Sequence, residues 1–238
     1  MEALTPGLVA ELACSARDWD GFERETTALL LEAIGADTVF FSDGRRISAH
    51  GLGVIEQVRD RIQPLWPELA AQSAVLLEAA LRAGGTLIDS EVMGKDLERM
   101  PYYDALMRPV RGRTTLIGVV TPAGCVSHKI AIGRCWGSSP FRSRHSRLLA
   151  SVLPTISLAR AALAARKRQG ERGELLGALT PREREVLGYL RLGYTNEQIG
   201  AALGTRARTV RNQLSRVYEK LGVATRAEAV GLCGEQDL

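Results

Sequence analysis

The chain has 238 residues, a formal net charge of +4 and an apolar fraction of 45%. These values admit one large domain or two ordinary ones, each with its own core, and point to a soluble globular protein. Its apolar runs are short, and Pro154 and Arg160 interrupt the one between Leu148 and Ala165, so neither a membrane span nor a membrane partner is expected.

MEALTPGLVAELAC lacks the basic start and cleavage pattern of a secretory signal. Cys14, Cys125, Cys135 and Cys233 form no CxxC pair or regular framework, which fits a reducing compartment. The expected location is the cytoplasm. In chain order, DWDGFERETTALLLEAI reads as a helix and TVFF as a strand, followed by a long helical region from about Gly53 to Arg82. TLID, RTTLIGVV and HKIAIG are strand candidates, and a last helix begins near Phe141. Thr121, Pro122, Ala123 and Gly124 suit a turn, so RTTLIGVV and CVSHKIAIG are expected to pair as an antiparallel hairpin. This order gives an α+β class.

The stretch RKRQGERGELLGALT, residues 166–180, is charged and glycine-rich with no periodic apolar pattern, and the domain boundary is placed there. The expected division is a first domain over 1–168, a linker over 169–179 and a second domain over 180–238. Leu149, Val152, Ile156, Ala159 and Leu163 recur at coiled-coil spacing over two heptads. The stripe suits either the sheet of its own domain or a second subunit.

Within the first domain no catalytic constellation stands out. Asp89, Glu91, Asp96 and Glu98 lie in a loop-like region without a nucleophile or base partner. Cys125, His128 and Cys135 lack the four well-spaced ligands zinc wants and read as buried or edge-strand residues, so no metal or cofactor is expected. Trp66, Trp136, Phe40 and Phe41 either line a ligand cavity or fill the core.

From Thr180 onward the sequence reads as helices only. Thr180, Pro181 and Glu183 make a capping box with proline at the first helical position, ahead of the stripe Val186, Leu187 and Leu190. Gly193 ends that helix. A second begins near Thr195 or Asn196 and turns Ile199 and Leu203 inward. A third runs from about Arg206 to Leu221 with Gly222 as its left-handed stop, and Thr225 and Glu228 cap a short fourth. On the third, Val210, Leu214, Val217 and Leu221 share one side, while Arg208, Arg211, Asn212 and Ser215 lie opposite with Arg216 at the margin. Residues 206–220 hold five cations against Glu219 alone, whereas residues 171–238 hold ten Lys or Arg against nine Asp or Glu. Charge is therefore concentrated on one helix, the footprint of an element that lies in a DNA major groove. Arginine forks onto guanine, asparagine onto adenine, and other cations meet phosphates.

The segment LTPREREVLGYLRLGYTNEQIGAALGTRARTVRNQLSRVYEKLGVATRAEAV resembles the four-helix DNA-binding domain of LuxR-type transcription regulators over nearly its full length. The opening LTPREREVL, the Gly193 turn, TNEQIGAAL, TVR, KLGV and R-x-E-A-V carry the resemblance. It implies sequence-specific binding of double-stranded DNA, as a homodimer, with the third helix as reader. The family's base-reading positions fall on Arg211, Asn212 and Ser215, and its backbone contacts on Thr195, Asn196 and Thr209. Arg206, Arg208 and Arg216 add cations, and Lys220 is expected at a phosphate. Two departures bear on base preference: Thr205 and Arg206 replace an aliphatic residue and serine at the helix start, and Gln213 replaces a frequent histidine.

Residues of roughly 5–168 resemble a GAF-type sensory domain, above all through SSPFRSRHSRLLASVLPTISLARAAL, which is similar to that family's terminal helix. This implies a small ligand of unknown identity held between the sheet and covering helices. A phosphorylated receiver lacks its acids here, and the tryptophan, tyrosine and aspartate pattern of acyl-homoserine-lactone receptors is not evident. The sequence reading is thus a DNA-binding transcription regulator without enzymatic activity, with RNA polymerase as a further candidate contact. Its rivals are an alternative sigma factor and a metabolite-processing enzyme tethered to nucleic acid.

Overall fold

The computed structural model describes residues 4–43, 45–51, 55–72, 74–101 and 103–233. The chain divides into two compact units, Met1–Ala164 and Ala165–Leu238. The class is α+β, with an antiparallel sheet and its helices in the first unit and helices alone in the second.

The first unit opens with two helices, α1 (Pro6–Ser15) and α2 (Trp19–Ile34). Thr5 and Asp18 cap them by accepting bonds from the amides of Leu8 and Gly21. Strands β1 (Thr38–Ser42) and β2 (Ile47–Gly51) follow as a hairpin. The region that reads as one long helix is three: α3 (Ile55–Ile62), α4 (Trp66–Gln72) and α5 (Ala74–Arg82), with a 3-10 turn at Gln63–Leu65. Pro64 and Pro67 explain the break between α3 and α4, because neither can donate the amide bond a continuous helix needs. Gly53, its expected start, lies outside the described residues.

Strand β3 (Thr86–Ile88) leads into α6 (Asp89–Met93) and a 3-10 stretch, Gly94–Arg99, so the region expected as a loop is helical. Asp89 is the reason the chain turns in there. Its carboxylate is buried and accepts from the Thr115 amide at 2.9 Å and the Thr114 hydroxyl at 3.0 Å, stitching the start of α6 to the next strand. Glu91, Asp96 and Glu98 are exposed.

Strands β4 (Gly112–Val120) and β5 (His128–Cys135) form the expected hairpin, and the sheet order is β2-β1-β5-β4-β3, antiparallel throughout. Because side chains alternate across a strand, the sheet feeds two cores. Val39, Phe41, Leu116, Val120, Ile130 and Ile132 face α1, α2 and the long helix α7 (Ser143–Gly177). Phe40, Ile117, Val119 and Ala131 face α3, α4 and α5. Phe40 and Trp66 are thus in one core and Phe41 in the other, while Trp136 is exposed, with the Arg113 guanidinium 5.4 Å from its ring centre.

Leu149, Val152, Ile156, Ala159 and Leu163 all lie in the core of their own unit. The coiled-coil spacing is therefore a stripe packed on the sheet, not a surface left for a second subunit. By length and composition the helix contains a stretch apolar enough to cross a membrane, where the sequence reading expected none, and 39% of that stretch is buried inside the protein. Pro154 does not interrupt it. Residues 169–177, in the expected linker, are helical as well. Cys125 precedes β5 and Cys135 is its last residue, about 23 Å along the strand from His128 at 3.3 Å per residue, so the three do not converge. Among the described residues no group of His, Cys, Asp or Glu is placed to hold a metal ion.

Candidate nucleic-acid interface

The second unit builds its helices from local signals. In α8 (Pro181–Arg191), the Glu183 amide donates to the Thr180 hydroxyl and the Glu183 carboxylate accepts from the Thr180 amide. Thr195 and Gln198 repeat the box on α9 (Asn196–Ala202), and Thr225 with Glu228 on α11 (Arg226–Gly231). Between them, α10 (Ala207–Leu221) ends on Gly222, whose φ of 65° is the left-handed stop the sequence implies.

Packing sets the angle between α9 and α10. A Cβ on Gly200 would lie 2.7 Å from the Thr205 carbonyl oxygen, so the turn closes onto α9 only because position 200 has no side chain. Val210, Leu214, Val217 and Leu221 join Val186, Leu187, Leu190, Ile199 and Ala229 in one core, to which Leu176 and Leu179 also belong. Burying each of these aliphatic side chains contributes about 1.5–3 kcal/mol before entropy is counted, so the rotation of α10 about its axis is strongly fixed. Leu203 is only partly buried.

That rotation leaves the polar side out. Arg208, Thr209, Arg211, Asn212, Ser215 and Arg216 are all exposed. From Arg208 to Arg216 the helix advances about 12 Å, comparable to the width of a DNA major groove. Arg206 is also exposed and is the N-cap residue of α10, but no side chain caps this helix. Thr195 is exposed at the N-cap of α9 with its hydroxyl oxygen accepting from the Gln198 amide, and Asn196 beside it is half-buried. The Ser215 hydroxyl donates back to the Arg211 carbonyl at 3.1 Å. Glu197 stands close enough to Arg211 for the cation to favour its ionised form; the carboxylate is held below its ordinary value first by its own backbone amide, then by the Thr195 hydroxyl and Arg211.

Lys220 is engaged elsewhere. Its Nζ lies 2.6 Å from a Glu183 carboxylate oxygen and 3.4 Å from the Ala178 carbonyl, tying the end of α10 to the start of α8. The lysine and the Thr180 amide hold the Glu183 carboxyl down at about 2. Two further fasteners carry no signature in the sequence. Arg182 donates to the Leu203 carbonyl at 2.7 Å, and Arg226 to the carbonyls of Leu190 and Tyr194 at 3.1 and 2.8 Å. Both arginines saturate carbonyls that helix ends leave open. No local pattern announces them, since the partners are 21 to 36 residues away.

The comparisons with known proteins meet this geometry in the same place. The family described as bacterial regulatory proteins, luxR family, matches residues 177–233. The second unit holds a LuxR-family domain. A probable transcriptional regulatory protein, SgaR of Hyphomicrobium methylovorum, is 51% identical over 57 residues, which are 24% of this chain and 27% of that relative. The chain thus matches about a quarter of that relative's length. Among solved structures, SdiA of Escherichia coli aligns over 95% of this chain and 94% of its own with 12% identity and a TM-score of 0.46. A second SdiA structure, in complex with octanoyl-rac-glycerol, aligns over 95% and 92% with 12% identity and a TM-score of 0.45. Within the LuxR-family domain, α8 to α11 are the four helices and α10 presents the basic, amide-bearing face.

Proposed function

We propose that this chain is a sequence-specific, DNA-binding transcription regulator of the cytoplasm. Its LuxR-family domain, residues 180–238, lays α10 in the major groove, and a small ligand acting on a GAF-like sensory domain, residues 1–168, controls it. The observation that carries this reading is the polarity of α10: four buried aliphatic residues on one side, and Arg208, Arg211, Asn212, Ser215 and Arg216 exposed on the other. Arg211 and Asn212 are assigned to base edges, with Ser215 beside them. Thr195, Asn196, Thr209, Arg206, Arg208 and Arg216 are assigned to the phosphate backbone. Lys220 is assigned to holding the fold, because its ammonium is committed to Glu183. The regulator acts as a homodimer, since two tethered readers bind adjacent half-sites far more tightly than one. The activity resides in binding rather than in catalysis.

Selection of bound sites from random duplex DNA by the full-length protein tests the reading. A two-half-site consensus whose binding weakens steeply with salt is the expected outcome. Recovery of no enriched sequence would overturn it.

A further inference from the structure

The long helix α7 begins in a setting that favours negative charge. Its first turn holds Arg144 and no acid, and Arg142, just before it, has no side-chain oxygen to accept the open amides of a helix start. His145 supplies a partial cap, its Nδ1 accepting from the Arg142 amide at 2.9 Å. Burial first, then Arg134, Arg144 and Arg142, hold the imidazole below its ordinary value and so keep it neutral at pH 7. A neutral imidazole whose Nδ1 accepts carries its hydrogen on Nε2. That Nε2 lies 3.3 Å from Nε of Arg144 and 3.5 Å from Nη2 of Arg134, both of them donors. His145 is 6% exposed, so its Nε2 hydrogen faces two guanidinium groups and, among the described residues, no acceptor.

The cations here are short of acids as well. Arg134 is buried, and its guanidinium donates to the carbonyls of Ile34, Gly35, Ser139 and Pro140, all of them neutral. Asp37 acts on Arg134 from a distance, but its Oδ2 accepts from the Cys135 amide at 2.8 Å and the Ser138 hydroxyl at 2.9 Å. Among the described residues no carboxylate comes within ion-pair distance of Arg134, Arg142 or Arg144. A phosphate group suits this set of donors. Its oxygens point in several directions and can meet an imidazole, guanidinium forks and helix amides together, whereas a carboxylate offers two oxygens in one plane. Arg144 is exposed, so a turn of its side chain opens the place that its Nε occupies.

We propose that the start of α7 binds a phosphate group, free or carried by a small phosphomonoester, between His145 Nε2, the Arg142 and Arg144 guanidiniums and the open amides of the helix. The buried Arg134 adds positive charge behind it. The site stands whether or not the second unit reads DNA, and its test contains no DNA.

Isothermal titration calorimetry of the full-length protein with sodium phosphate, glycerol 3-phosphate, sodium acetate and sodium chloride, at matched ionic strength and fixed pH, tests the site. Saturable binding of phosphate or the monoester, and of neither acetate nor chloride, is expected. Tighter binding of the monoester assigns the site to a phosphorylated small molecule, and the reverse order to the free anion. Arg144→Gln, shown to be folded by circular dichroism, should weaken that binding about tenfold or more, the loss expected for a charge-assisted hydrogen bond. Arg211→Gln, which removes a cation from α10 instead, should leave it unchanged. The chain has three histidines, and in nitrogen NMR of their rings the His145 signal should move with phosphate at the same midpoint. Should Arg144→Gln not fold, Arg142→Gln serves the same comparison, because the bond from the Arg142 amide to His145 is kept. No saturable phosphate binding, an equal response to acetate or chloride, unaltered binding by the folded variant, loss of binding in Arg211→Gln, or an unmoved His145 ring would overturn the proposal.

Discussion

Glu183 does two things that neither residue type nor local spacing separates. Its backbone and carboxylate close the cap of α8, and the same carboxylate, 2.6 Å from Lys220, pins the end of α10. Because the folded carboxyl is depressed to about 2, its contribution to stability is full above the ordinary carboxylate value near 4.5 and is lost as pH falls from there towards 2. Glu183→Gln keeps the capping geometry and removes the charge, so it should lower stability by about 0.5–1.5 kcal/mol at pH 7. The deficit should disappear near pH 2. Urea denaturation at several pH values checks this, and a deficit independent of pH would assign the effect to the cap alone. Arg206 offers the opposite case. It occupies the N-cap of α10 without capping it, and puts a cation at the positive end of the helix dipole. Arg206→Ser should stabilise the protein by roughly 0.5–1 kcal/mol while weakening DNA binding, because a cation assigned in the proposed complex to the phosphates is lost. Chemical denaturation and a DNA titration of the same variant give the two signs.

Elements are legible in the sequence wherever a local signal agrees with the packing. Three T-x-x-E or T-x-x-Q boxes mark the starts of α8, α9 and α11, and the stripe Val210, Leu214, Val217, Leu221 fixes the inward side of α10. The β4–β5 hairpin is equally plain, from its alternation and its Pro-Gly turn. Strand β2 is not, because ISAHG is short, polar and at the sheet edge; only pairing with β1, Ser48 opposite Phe41 and His50 opposite Val39, makes it a strand. In α7, Pro154 and the glycines at 170 and 173 argue for interruption and a linker, at a propensity cost of about 3 and 1 kcal/mol per residue respectively. The buried run from Leu149 to Leu163 outweighs the first, and Leu175 and Leu176, packed in the second core, hold the far end. The exposed positions of α10 proposed to face DNA follow from its periodicity, whereas Arg182, Arg226 and the Lys220 pair depend on long-range contacts. Since Ile156 is fully buried, Ile156→Asp should unfold the first unit, at a cost of about 4 kcal/mol or more, rather than release folded monomers from a dimer. Circular dichroism with light scattering checks that; a folded monomer would contradict the packing.

For the whole molecule, the distribution of charge matters more than its total. A net of +4 over 238 residues is modest, yet residues 206–220 carry five cations against one acid. The other helices of the second unit offset that excess, so its field is focused on the exposed side of α10. In the proposed regulator, the first unit is the part that responds to a small ligand and the second is the reader of DNA. Tethering two chains supplies the affinity that a single short helix lacks. The claim on which the rest depends is that Arg211 meets bases. It is tested most directly by fluorescence anisotropy at fixed salt, titrating wild type and Arg211→Ala against the selected site and a scrambled duplex. The account predicts that the variant loses about 1–3 kcal/mol at the selected site and much of its preference over the scrambled one. Affinity and preference both unchanged would contradict it.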